Sequence, residues 1–163
     1  MAGIVDALTH ASAHGGGTAT FAVGSNKAAA LKVSELSWKP HMGGQGLPRL
    51  NAPSSWPGHV DPRELVVDLQ GRIVSATPSA YWDARKALLA SLIPPPTYNR
   101  SIFHHGTLTA TFPGESAAYL LVNLLDYDIP LTSQIGRSTE YRILWVAYFG
   151  YWKAVSGDTV VYY

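Results

Sequence analysis

The sequence contains no cysteine among its 163 residues. That absence excludes disulfides, thiolate-bound zinc and thiol catalysis together. Charge is scarce as well: Asp, Glu, Lys and Arg make up 14%, against roughly 25% in an ordinary soluble domain. The twelve basic and eleven acidic side chains nearly cancel, leaving a formal charge of +1, and like charges form no block. Phosphate backbones are gripped by clustered cations, so no specific nucleic-acid binding is expected. No apolar run reaches the roughly 18 residues of a membrane span, so no membrane insertion is expected either. Met1 to Ala13 lacks the basic flank and apolar stretch of a secretory signal, and synthesis in a cytosol is the expectation.

What the chain has in quantity is apolar surface, 47% of residues, including five Trp, nine Tyr and four Phe. A chain of this length suits one domain with one core. With so little charge to cover it, part of the apolar surface is expected to meet another protein.

Met1 to Gly17 ends in Gly15-Gly16-Gly17, three residues that contribute backbone entropy and no packing, so residues 1–17 are expected to form a flexible arm. Residues 18–163 are expected to form a single β-sandwich or split-barrel domain. Phe21 and Val23, then Leu31 and Val33, then, after a shift of register, Leu36 and Trp38 have the spacing of half-buried strands, with Ser25-Asn26 as a turn. From His41 to Pro62 glycines and prolines forbid a helix and interrupt any ladder. A loop of about 20 residues in a compact domain is usually functional. This one carries Met42, Leu47, Leu50 and Trp56, which are read as an oligomer interface because a solvated loop would not hold so much apolar surface.

Leu65 to Leu69 and Arg72 to Ala76 flank Gln70-Gly71, a link of hairpin length that predicts a strand, a turn and a strand. Thr77-Pro78 offers a capping hydroxyl and a proline suited to a first helical turn, so one helix is predicted over about 78–92. Its inner face is Tyr81, Ala84, Leu88 and Leu92, with Leu89 and the stem of Arg85 alongside, and Pro94-Pro95-Pro96 stops it. Thr107 to Phe112, Ala117 to Leu125 and Glu140 to Phe149 are predicted strands; in the last, neither alternating set is polar, which predicts burial on both faces. Thr159 to Tyr163 is also strand-like.

This order of parts resembles the N-terminal belt domain of the distal tail proteins of long-tailed bacteriophages, or a related tail-tube-type ring protein. The likeness is carried by Leu65 to Ala76, by the helix segment Ser79 to Leu89, and by the closing Tyr141 to Trp152. It implies a β-rich α+β fold: a split β-barrel or sandwich with one flanking helix and long loops. It also implies a virion structural protein, a tail-tip or baseplate ring subunit made in the host cytoplasm. Its partners would be copies of itself, in a hexamer by that resemblance, together with the tail tube and tail hub or fibre proteins. DNA would pass through the lumen without being bound. The chain ends soon after the belt domain would, so a minimal ring is expected, with receptor recognition left to other subunits. Low charge and apolar loops are what a cyclic interface uses.

Catalytic patterns are weak. Gly114-Glu115-Ser116-Ala117-Ala118 has Ala118 where a nucleophile elbow needs glycine. Asp61, Glu64, Asp68 and Asp83 offer carboxylate pairs only as any such chain would. His104-His105 would point to opposite faces of a strand, and His10 and His14 would share a face only on a helix, so no metal site is expected. Gly15-Gly16-Gly17 lacks the Lys and Ser or Thr of a phosphate loop. No catalytic residue and no cofactor is therefore expected. Asp126 and Asp128 beside Tyr127 are read as a solvated turn, with a channel lining as the alternative. The other function class kept open is a carbohydrate-binding β-sandwich, should several aromatics stand exposed together.

Overall fold

A computed structural model describes residues 5–24, 27–41, 64–96, 102, 104–130, 138–147, 149 and 151–161. Met42, Leu47, Leu50 and Trp56, and the Ser25-Asn26 turn, lie outside the described residues.

The strands are β1 (Ala7–Ser12), β2 (Thr18–Ala22), β3 (Leu31–His41), β4 (Glu64–Val74), β5 (Gly106–Thr111), β6 (Ala117–Asp128), β7 (Ser138–Ala147), β8 (Trp152–Ala154) and β9 (Val160–Val161). A single helix among the described residues, α1 (Pro78–Leu92), joins β4 to the later strands. The strands make one sheet in the order β5-β1-β2-β3-β4-β7-β6-β8-β9, and a further β5–β6 pairing closes it into a ring. It is not a regular barrel. β2 and β3 share only two parallel pairs, Phe21↔Leu31 and Ala22↔Lys32, while β6 divides its length between β5, β7 and β8. The β-rich α+β reading with one helix is thus what the chain adopts.

Two bulges reset which residues face inside. The expected shift between Val33 and Leu36 is a break in β3–β4 register at Val33/Glu35, so that Leu31 and Leu36, of opposite sequence parity, are both buried. A second break between Leu124 and Asp126 expels Leu125, which is 61% exposed. The residues expected as a solvated turn, Asp126 to Asp128, are instead the exposed end of β6, paired with Leu144 to Arg142 of β7.

Three other expectations are corrected. Residues 7–12 are not an arm: they form β1, paired with both β2 and β5, because Leu8 and His10 alternate inward ahead of the glycines. Gln70-Gly71 is not a turn, and Glu64–Val74 is one continuous strand paired on both edges. Gly71 serves close packing instead, since a Cβ there would stand 2.0 Å from the Lys32 carbonyl oxygen and 2.5 Å from the Tyr141 hydroxyl. β7 is not buried on both faces. Tyr141, Ile143, Trp145 and Ala147 are buried, whereas Glu140 and Arg142 are exposed and Leu144 and Val146 half-buried.

Thr77 caps α1 by accepting from the Ala80 amide at 3.2 Å, and Ile93 turns extended before the prolines. Tyr81, Leu88 and Leu92 are buried on the sheet, each such side chain contributing about 1.5–3 kcal/mol. The Tyr81 hydroxyl bonds to Thr139 Oγ1 at 2.8 Å, tying the helix to β7. Inside the ring two aromatic groups meet edge to face: Phe21 with Trp145, and Trp38 with Phe112 and Trp152.

Candidate interaction surface

Three surfaces or clusters carry chemistry, beginning with the outer face of β6, β8 and β9. Register places Tyr119 opposite Lys153, and Lys153 opposite Val160, so these three point outward in one row. Phe149 and Tyr151 extend it, with ring centroids 5.9 Å apart, and the Lys153 ammonium sits 4.5 Å from the Phe149 centroid. Phe149 is 43% exposed, Val160 40% and Val155 57%. The Tyr119 hydroxyl bonds to the Asp158 carboxylate, and that bond, with lesser help from desolvation and charge, raises its pKa. Asp158 adopts φ +54°, next to Gly157 at +93°, in the tight turn that returns the chain as β9. β9 ends the sheet, leaving an open edge beside this patch among the described residues.

The sequence reading missed this patch, although its signal was present. The strand expected over Glu140 to Phe149 stops at Ala147, and a new one begins at Trp152. Trp152 then faces the core and Lys153 the solvent.

The second surface is a polar cleft of about 460 Å³ on the outside of β3, β4 and β7, lined by Ser34, Gln70, Arg72, Asp128, Glu140 and Arg142 among others. Its cations are already matched. Arg142 grips Asp68 with two bonds, Nε at 3.1 Å and Nη2 at 2.6 Å, and Arg72 meets Glu140 at 2.9 Å. The Arg142 hydrogen bonds hold the Asp68 carboxyl below its usual range despite some desolvation. Both arginines among the described lining residues are thus already paired with carboxylates.

The third feature is a convergence of histidines. His10, His14, His104 and His105, treated in the sequence as two unrelated pairs, meet where β1 lies beside β5. Among the described residues no group of three His, Asp or Glu side chains is arranged to hold a metal ion. Ser116 lies in the turn at the far end of the β5–β6 hairpin, with the ladder from Gly106↔Val122 to Thr111↔Ala117 between it and the histidines. At about 3.3 Å per residue that distance forbids a nucleophile and base pair. Asp61 lies outside the described residues, and Asp68 is engaged by Arg142.

Comparison with models of known protein families gives no match, and comparison with curated proteins gives none. Among the described residues no helix is long and apolar enough to cross a membrane.

Proposed function

We propose that this chain is a structural subunit that assembles with copies of itself, as a phage tail-tip ring protein does, using the β6–β8–β9 outer face as one contact. The observation that carries this reading is the row Tyr119, Lys153, Val160 with Phe149 and Tyr151 beside an open strand edge. An unpaired edge supplies backbone donors and acceptors, and the neighbouring aromatic and aliphatic groups supply desolvation, the two components of edge-to-edge association. The low charge of the chain favours the same outcome, since few ions need be stripped of water on contact. In the virion such a ring would join the tail tube to hub or fibre proteins, and the apolar loop residues Met42, Leu47, Leu50 and Trp56 would latch neighbours. Native mass spectrometry with negative-stain imaging tests the reading. Ring-shaped oligomers are expected, and a strictly monomeric protein at high concentration overturns it.

The same patch also favours a second reading. Phe149 and Tyr151 beside Lys153 and Asp158 combine apolar ring faces with polar groups, as a sugar platform does. Glycan binding by an isolated monomer would select that carbohydrate-binding function instead.

A further inference from the structure

β1 delivers His10 into the interior, opposite Leu108 of β5 and Ala19 of β2. Its imidazole stacks on Trp145, with centroids 5.4 Å apart and planes at 22°. It also lies so close to Gly106 that a Cβ there would stand 2.3 Å from Nε2. The residue is 1% exposed, and neither ring nitrogen has a hydrogen-bond partner among the described residues. His14, just beyond β1, meets the ring of His105 at 6.4 Å, edge on. The strands are joined there by the Ala13 amide, which donates to the His105 carbonyl at 2.9 Å. His105 is fixed in turn by β6: its amide donates to Asn123 Oδ1, and its Nδ1 accepts from the Leu124 amide at 3.2 Å.

A leucine or phenylalanine would fill such a place without the cost of a dry, unpaired imidazole, so the choice of histidine needs a physical reason. What His10, His104 and His105 share is their response to protons. Burial lowers the affinity of His10, His104 and His105 for a proton. The charge of His105 adds to this at His10, that of His14 at His104, and those of His14 and His104 at His105. Among the described residues, no carboxylate acts on His10, His104 or His105 to offset this. β1, β2 and β5 contain no Asp, Glu, Lys or Arg. Glu140 and Arg142 of β7 project from the face opposite Trp145; Asp126 and Asp128 follow Leu124, the residue bonded to His105, by two and four positions on the exposed end of β6, and neither is among the charges acting on His10, His104 or His105. The ionic side chains of α1 are Asp83, Arg85 and Lys86, and none of them is among the charges acting on His10, His104 or His105.

We propose that His10, backed by His104 and His105, is an acid-sensitive latch on the β1–β5 seam, shut while these imidazoles are neutral and parted when they take up protons, with β3, β4 and β7 remaining paired. An imidazolium cannot stay in the dry stack on Trp145; it reaches water by moving β1 outward. β1 and β5 share six pairs against ten between β4 and β7, so the seam opens before the β4–β7 ladder. The inference is independent of how the chain assembles.

Hydrogen exchange followed by mass spectrometry on the intact protein tests it, comparing peptides over 7–12 and 106–111 with those over 64–74 and 138–147 at about pH 7.5 and pH 5, the range in which histidine titrates. After correction for intrinsic exchange, the seam peptides are expected to lose at least about tenfold in protection at the lower pH while the β4 and β7 peptides keep theirs. The triple variant His14→Gln/His104→Gln/His105→Gln and the single variant His10→Leu should each suppress that loss. Equal loss in all four peptides, no loss, or a loss unchanged in both variants overturns the latch.

Discussion

The phenol of Tyr141 fills the space above Gly71 that any side chain at that position would need. Its hydroxyl donates to the Lys32 carbonyl at 3.0 Å, bridging β7 to β3 across the backbone of β4, and burial pushes its pKa well above that of an ordinary tyrosine. Gly71→Ala is expected to destabilise the fold by about 2–4 kcal/mol, because the added carbon collides with backbone as well as with the phenol. Urea unfolding measures this. Adding Tyr141→Phe should restore only part of the loss, since the Lys32 carbonyl, 2.0 Å from the new Cβ, remains in place.

Gly71 also shows where local reading of a sequence stops. A glycine between two apolar runs has the appearance of a turn, and only the position of Tyr141, many residues later, reveals that it is needed for close approach inside a strand. Signals that act within a few residues were legible: Thr77, Pro78 and the triple proline bound α1, and the parity change between Val33 and Leu36 announced a bulge. Ring closure through β5–β6, the capture of residues 7–12 as β1, and the meeting of His10 with His105 depend on partners distant in the chain, for which no local pattern exists. The outer patch lies between these cases. Its aromatic residues were visible, but which of them face solvent follows from the strand break after Ala147.

Helix α1 allows a graded test of core against cap. Leu88 is wholly buried, and Leu88→Asp places an unpaired carboxylate there at a cost of several kcal/mol, about enough to unfold a domain of ordinary stability. Thr77→Ala removes a single capping acceptor and should cost about 1 kcal/mol. Circular dichroism melts are expected to show no cooperative transition for the first variant, and a small shift with an unchanged spectrum for the second.

Exposed aromatic and aliphatic groups should affect assembly without affecting the fold. Phe149 and Val160 contribute little to the core, so Phe149→Ser and Val160→Lys are each expected to change unfolding free energy by no more than about 0.5 kcal/mol. If the β6–β8–β9 face is a contact between copies, both variants should move the oligomer-to-monomer transition to higher protein concentration in analytical ultracentrifugation. An unchanged sedimentation profile in both variants would place the contact elsewhere.

Stability should fall with acid, and His10 and Asp68 contribute to this from different ranges. The folded protein lowers the pKa of His10 from 6.5 to about 4, so its neutral form is favoured by folding. The unfolded chain therefore binds the proton first. The contribution of His10 is complete above about pH 6.5 and declines as pH falls towards 4, where linkage makes the loss about 3 kcal/mol. Asp68 acts in the same direction but lower on the scale: its carboxyl is held below the usual range by Arg142, so its contribution is present above the ordinary carboxylate pKa and is lost as pH drops through the depressed value. Denaturant midpoints measured across this range should fall already between pH 6.5 and 5 in the natural sequence. In Asp68→Asn that early fall should persist, because His10 is untouched, whereas in His10→Leu it should shrink to the part due to His104 and His105, with the decline at lower pH unchanged. An early fall of equal size in His10→Leu would assign the effect to other groups.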